Sequence, residues 1–110
     1  MVLLDFMPLD QDELAALVSV VDTGSFRAAA EKLERAQSSI SYAIKNLEKE
    51  LDIEIFSRNT YRPQLTTQGE LIYHKAKHVL RMQNELLDYA SSIKSGLATN
   101  LHLEISPLSP

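Results

Sequence analysis

The sequence contains no cysteine, which excludes disulfides, zinc–thiolate sites, iron–sulfur clusters and thiol nucleophiles and makes a reducing cytoplasm an undemanding home. It has only three glycines in 110 residues, and none belongs to a glycine-rich phosphate loop. With no recognisable Ser-His-Asp constellation either, an enzyme is not expected. No run of about 18 apolar residues occurs, and Met1 to Pro8 lacks the basic start and apolar stretch of a signal peptide. Neither a membrane span nor export by that route is expected. What is present is 45% hydrophobic and 24% charged residues, enough for a buried core and a soluble surface. The length suits one domain with an appended element and excludes a multidomain enzyme.

Basic charge is also short, since the formal net charge is −4. The deficit is local. Residues 1–24 carry Asp5, Asp10, Asp12, Glu13 and Asp22 and no Lys or Arg. Residues 25–66 carry seven bases and six acids, residues 67–100 carry four and three, and Glu104 is the last acid. Binding answers to local potential more than to net charge, so an anionic partner stays open beyond the N-terminal stretch.

Asp10 is placed to cap a first helix over Gln11 to Asp22, with Glu13 reaching back in a capping box and Gly24 ending the run. Leu14, Leu17, Val18 and Val21 follow at helical spacing. Ser25 caps a short second helix whose apolar stripe is Phe26, Ala29, Ala30 and Leu33. After Glu34-Arg35-Ala36 a third helix is predicted from Gln37 to Leu51, with Ile40, Ile44, Leu47 and Leu51 inward. So short a connection sets the two helices at a steep angle, as in a helix-turn-helix. Ile53, Ile55 and Phe56, then Gln64-Leu65-Thr66, read as two short strands around a polar tip with Arg58, Tyr61 and Arg62. Leu101, Leu103 and Ile105 alternate with polar residues like another strand.

Between lies a long helix of about 28 residues, capped by Thr66 or Thr67 and free of Pro and of further Gly until Gly96. Ile72, Ala76, Val79, Gln83, Leu86, Ala90 and Ile93 step alternately by four and three, a heptad seam with one polar member. The seam predicts self-association; the alternative is that the helix folds back on its own domain.

The ordered pattern Gly24-Ser25-Phe26-x-x-Ala29-Ala30-x-x-Leu33, Gln37-Ser38-x-Ile40-Ser41-x-x-Ile44-x-x-Leu47-Glu48-x-x-Leu51, Ile55-Phe56-x-Arg58 and Leu65-Thr66-x-x-Gly69 resembles the N-terminal winged helix-turn-helix of LysR-type transcriptional regulators. The resemblance runs from about residue 9 to residue 95. It implies a mainly α fold with a small β-hairpin wing, in residues 1–66, and a linker helix for dimerisation, in 67–96. It further implies that 97–110 begins an effector domain resembling periplasmic binding proteins, in a whole protein roughly three times this length. Double-stranded promoter or operator DNA is the implied partner. A homodimer, or a tetramer in the full-length protein, is the implied assembly. No cofactor is implied, and a small-molecule effector belongs only to the missing domain.

On the outer face of the third helix, Gln37, Ser38, Ser41, Tyr42 and Lys45 share one side. Gln pairs bidentately with an adenine edge, Ser serves as donor or acceptor, and a Tyr ring meets a thymine methyl or donates to a phosphate. Gln37, Ser38, Ser41 and Tyr42 are therefore the base-contact candidates. Two departures bear on preference: the family commonly has proline at Ser38 and arginine at Tyr42, so its usual arginine–guanine contact does not carry over. Ala36 also stands where a capping Ser or Thr is common. The phosphate candidates are Ser25, Arg27, Lys45, Arg58, Arg62 and Thr66. Against these stand plainer roles: Ser25 and Thr66 as caps, Arg58 paired with Glu54, and Lys45 merely solvated. His74 and His78 are four apart but lack a third ligand, so no metal site is expected. The competing class is a winged-helix assembly module that binds protein rather than DNA.

Overall fold

Asp10 is extended (φ −125°, ψ 139°) and its carboxylate accepts the Asp12 N–H at 3.1 Å, starting α1 (Gln11–Thr23). Gly24 ends that helix in the left-handed region at φ 88°, its N–H donating to the Val20 carbonyl at 2.9 Å. Ser25 begins α2 (Phe26–Leu33), its hydroxyl accepting the Ala28 N–H at 2.9 Å. Glu34 closes α2 with a left-handed backbone (φ 55°). α3 (Gln37–Leu51) then starts at Ala36, which offers no side-chain cap; its carbonyl accepts from Ser39 and Ile40 instead. Asp52, also left-handed at φ 58°, ends α3.

The structure, a computed structural model, describes residues 9–97. The chain divides into two units, Met1–Leu80 and Arg81–Pro110, and the boundary falls within the last helix, α4 (Thr67–Ser92). In the first unit α1, α2 and α3 pack on one another around Leu14, Leu17, Val20, Ala29, Ile40, Ile44 and Leu47. The short alanine-lined α2 lets its neighbours approach closely, Ala29 being fully buried.

Three expectations from the sequence are corrected by the fold. Glu13 forms no capping box. It is buried in the α1–α3 interface, where one carboxylate oxygen accepts from Asn46 Nδ2 and the other has no hydrogen-bond partner. Burial is the main force raising its carboxyl pKa above the ordinary value, with Glu50 and Asp10 adding repulsion and the Asn46 bond opposing.

The wing is reduced to a single antiparallel bridge, Phe56 to Leu65, flanked by Ser57 N–H to Gln64 carbonyl at 2.8 Å and Thr66 N–H to Ile55 carbonyl at 2.9 Å. Among the described residues the pairing goes no further toward the tip, where the Thr60 hydroxyl turns back on the Arg62 carbonyl.

Along α4, the proposed seam divides. Ala76 is buried in the core of its own unit and Ile72 packs against that core, as does Leu80, so these positions are committed within that unit. The helix is 26 residues long, followed by a wide turn, Ile93–Leu97, in which Gly96 is left-handed. In the second unit Met82, Leu86, Leu87, Tyr89 and Ile93 are exposed, while Gln83 Oε1 is shielded from solvent without a hydrogen-bond partner. The strand expected at Leu101 to Ile105 lies outside the described residues.

Candidate nucleic-acid interface

The buried stripe of α3 fixes what its other side presents. With Ile40, Ala43, Ile44 and Leu47 turned inward, Gln37, Ser38, Tyr42 and Lys45 are exposed and Ser41 is half-buried. Tyr42 is 70% exposed, far too open for a core residue. All four expected base-contact residues therefore lie on or beside one outward face.

The wing is hung from this same helix. The Glu48 carboxylate accepts the N–H groups of Ile55 and Phe56 at 2.8 and 3.1 Å. Phe26 and Phe56 meet with ring centroids 5.9 Å apart, joining α2 to the wing base. Glu48 stands in the sequence pattern, yet nothing in its spacing shows that it holds wing backbone. Between α3 and the wing runs an open groove lined by Ser41, Lys45 and Glu48 on one side and Phe56, Arg58 and Tyr61 on the other. Thr60 closes the tip by donating to the Arg62 carbonyl at 2.7 Å, leaving Tyr61 98% exposed.

The phosphate candidates sort by what already holds them. Arg58 Nε lies 3.4 Å from Glu54 Oε2, the plainer pairing expected from the sequence. Arg27 Nε lies 3.8 Å from Glu31 Oε2, with both side chains largely exposed. Arg62 is exposed and makes no ion pair among the described residues. Ser25 is a cap whose oxygen accepts, so its hydroxyl proton is not used by that bond. Thr66 is differently committed: its oxygen accepts the Gly69 N–H at 2.8 Å while its proton goes to the Glu54 carbonyl at 2.6 Å. That hydroxyl ties the wing to the start of α4 and has no second proton for a phosphate.

The other flank of α3 is acidic. Asn46 bridges Glu13 and Glu50, and Arg35 Nη2 lies 2.8 Å from Asp12 Oδ2. A second open cleft is lined by Asp10, Asp12, Arg35, Ser38 and Tyr42. The exposed face of α3 is thus flanked by Lys45, Arg58 and Arg62 toward the wing and by Asp10, Asp12 and Glu50, with Arg35 among them, toward α1. Arg35 was not among the site residues expected from sequence; its only signal there is its place in the short connection just before α3.

A three-helix core, a tight turn before an exposed helix and a bridged loop beside it define a winged helix-turn-helix protein. The family described as bacterial regulatory helix-turn-helix protein, lysR family, matches residues 11–70, and the chain belongs to it. Among relatives, the HTH-type transcriptional regulator AceR of Acinetobacter baumannii is 33% identical over 99 residues, covering 90% of this chain and 33% of its own length. The probable HTH-type transcriptional regulator YhaJ of Escherichia coli is 30% identical over 102 residues, covering 93% and 34%. The present chain therefore spans about a third of these relatives. Among solved structures, the BenM DNA-binding domain in complex with catB site 1 DNA superposes with a TM-score of 0.76 at 33% identity, covering 80% of this chain and 98% of that one.

Proposed function

We propose that this chain is the sequence-specific DNA-binding part of a LysR-type transcriptional regulator, working in the cytoplasm on promoter or operator DNA. The observation that carries the reading is the outer face of α3, where Gln37, Ser38 and Tyr42 stand exposed beside a wing anchored to the same helix through Glu48. Gln37, Ser38, Ser41 and Tyr42 read base edges, and Arg62, with Arg58, Lys45, Arg27 and Ser25, meets phosphates. Binding by Arg58 exchanges Glu54 for a phosphate, so Arg62 is the more direct clamp. The protein acts as a homodimer through the exposed apolar face of α4, above all Val79, Met82, Leu86, Tyr89 and Ile93. The BenM DNA-binding domain, solved in complex with DNA, supports the same partner here. Effector recognition belongs to the rest of the longer protein, as the relatives' length supports.

The test compares affinity for cognate and scrambled duplexes at several salt concentrations. Gln37→Ala costs about 1–3 kcal/mol on the cognate site and flattens discrimination at one base pair per half-site. Arg62→Ala weakens binding to both duplexes alike and reduces the salt slope by about one per lost phosphate contact. The reverse pattern refutes this division of labour. Association of the protein without any DNA shift supports the assembly-module reading instead.

A further inference from the structure

We propose that Arg35 is an additional phosphate-binding residue, held in reserve by Asp12, and that DNA must displace this carboxylate to engage it. The inference rests on the DNA-binding reading of the chain and concerns the flank of α3 away from the wing. Arg35 Nη2 and Asp12 Oδ2 are 2.8 Å apart, and the side chains remain 41% and 61% exposed. The pair opens on the cleft that also contains Ser38 and Tyr42, two residues of the reading face. A strand seated against that face passes within reach of the guanidinium.

The exchange is physically cheap. An exposed ion pair is screened by water and contributes little to stability. Asp12 keeps other support when Arg35 leaves, because it lies in the first turn of α1, where the helix dipole favours an acid, and remains well solvated. Arg35 gains a phosphate, whose oxygens suit its planar fork at least as well as one carboxylate oxygen does. Asp12 thus lowers affinity without blocking binding. The acidity of the first helix becomes a restraint on DNA binding, applied at one identifiable residue.

A double-mutant cycle on the intact chain tests this. Asp12→Asn should raise affinity about three- to tenfold on cognate and scrambled DNA alike, since the released cation meets a phosphate. Arg35→Gln should weaken binding to both and lower the salt slope by about one per half-site, whereas Arg35→Lys should keep the slope. In the Arg35→Gln background, Asp12→Asn should have no further effect. Persistence of the Asp12→Asn gain in that background would mean simple charge repulsion and overturn the proposal. So would a change of base preference in Arg35→Gln, or affinity and slope equal to those of the parent protein. Thermal melts accompany each variant; if Arg35→Gln melts early, Arg35→Lys and its double variant with Asp12→Asn carry the comparison. Then a gain from Asp12→Asn in the Arg35→Lys background larger than that from Glu50→Gln, an acid of the same flank that is bonded to Asn46, supports the gate, and an equal or absent gain overturns it. Failure of the parent protein to bind any duplex rejects the DNA-binding reading itself, a different result from a bound parent with an inert Arg35.

Discussion

Replacing Gly69 by alanine probes the joint between the wing and α4. An ideal Cβ at this position would lie 2.1 Å from the Ile55 carbonyl oxygen, 2.9 Å from its carbonyl carbon and 3.1 Å from its Cα. All three are backbone atoms, so no side-chain rotation relieves the overlap. The Ile55 carbonyl is itself held by the Thr66 N–H at 2.9 Å, and the Ile55 side chain is fully buried. Relief requires the wing or the first turn of α4 to shift. Overpacking of this kind costs about 1–3 kcal/mol. Weakening the Thr66 bond adds about 1 kcal/mol, and the better helix propensity of alanine returns about 1 kcal/mol. The net loss of about 1–3 kcal/mol corresponds to a Tm lower by about 5–20 °C for a domain of this size. Circular dichroism melts at one protein concentration measure it, with the exposed neighbour Gln68→Ala as a control that should barely move. A Gly69→Ala protein as stable as its parent, or more so, would refute the reasoning, because propensity alone would then govern the site.

Glu48→Ala removes the acceptor of two wing N–H groups and should destabilise by about 2–4 kcal/mol; hydrogen exchange at the Ile55 and Phe56 amides should quicken more than at the centre of α1. Glu13→Gln should raise Tm at neutral pH. The folded carboxyl has a pKa above its ordinary 4.5, so the folded state holds the proton longer and stability falls as pH rises from 4.5 through the folded value. The variant should flatten that fall, and melts across this range that parallel those of the parent would contradict the account. Leu86→Asp combined with Ile93→Asp places charges on the exposed apolar face of α4 and should convert a dimer to a monomer in sedimentation; an unchanged mass would show that the helices associate elsewhere.

Much of the fold is legible in the chain because caps act locally. Asp10, Gly24, Ser25 and Thr66 each meet backbone within four residues, and each marks its helix end as expected. Long-range partners break the local rules. Glu13 has the spacing for a capping box, but Asn46, 33 residues later, and the packing of α3 over it decide its position. Periodicity finds the apolar residues of α4 yet does not say which stripe is spent on its own core; only the fold turns Ile72 and Ala76 inward and leaves Leu86 and Ile93 outside. The exposed face of α3 is legible because a buried stripe implies its opposite. Glu48 and Arg35 are not, since their partners are backbone groups of the wing and a carboxylate 23 residues earlier.

Two joints flanking α3 are closed by acids where glycine would be at ease. Glu34 and Asp52 hold φ values of 55° and 58°, and both are exposed at the ends of their helices. A side chain in that conformation costs about 1–2 kcal/mol, and a carboxylate at a helix C-terminus also meets the unfavourable end of the dipole. Either position changed to glycine would release stability of the size that an ordinary substitution removes. In evolutionary terms the protein has unused headroom beside the exposed face of α3. A background with glycine at both joints would tolerate more change at Gln37, Ser38 and Tyr42 before unfolding, and so is the better parent for selecting new base preferences.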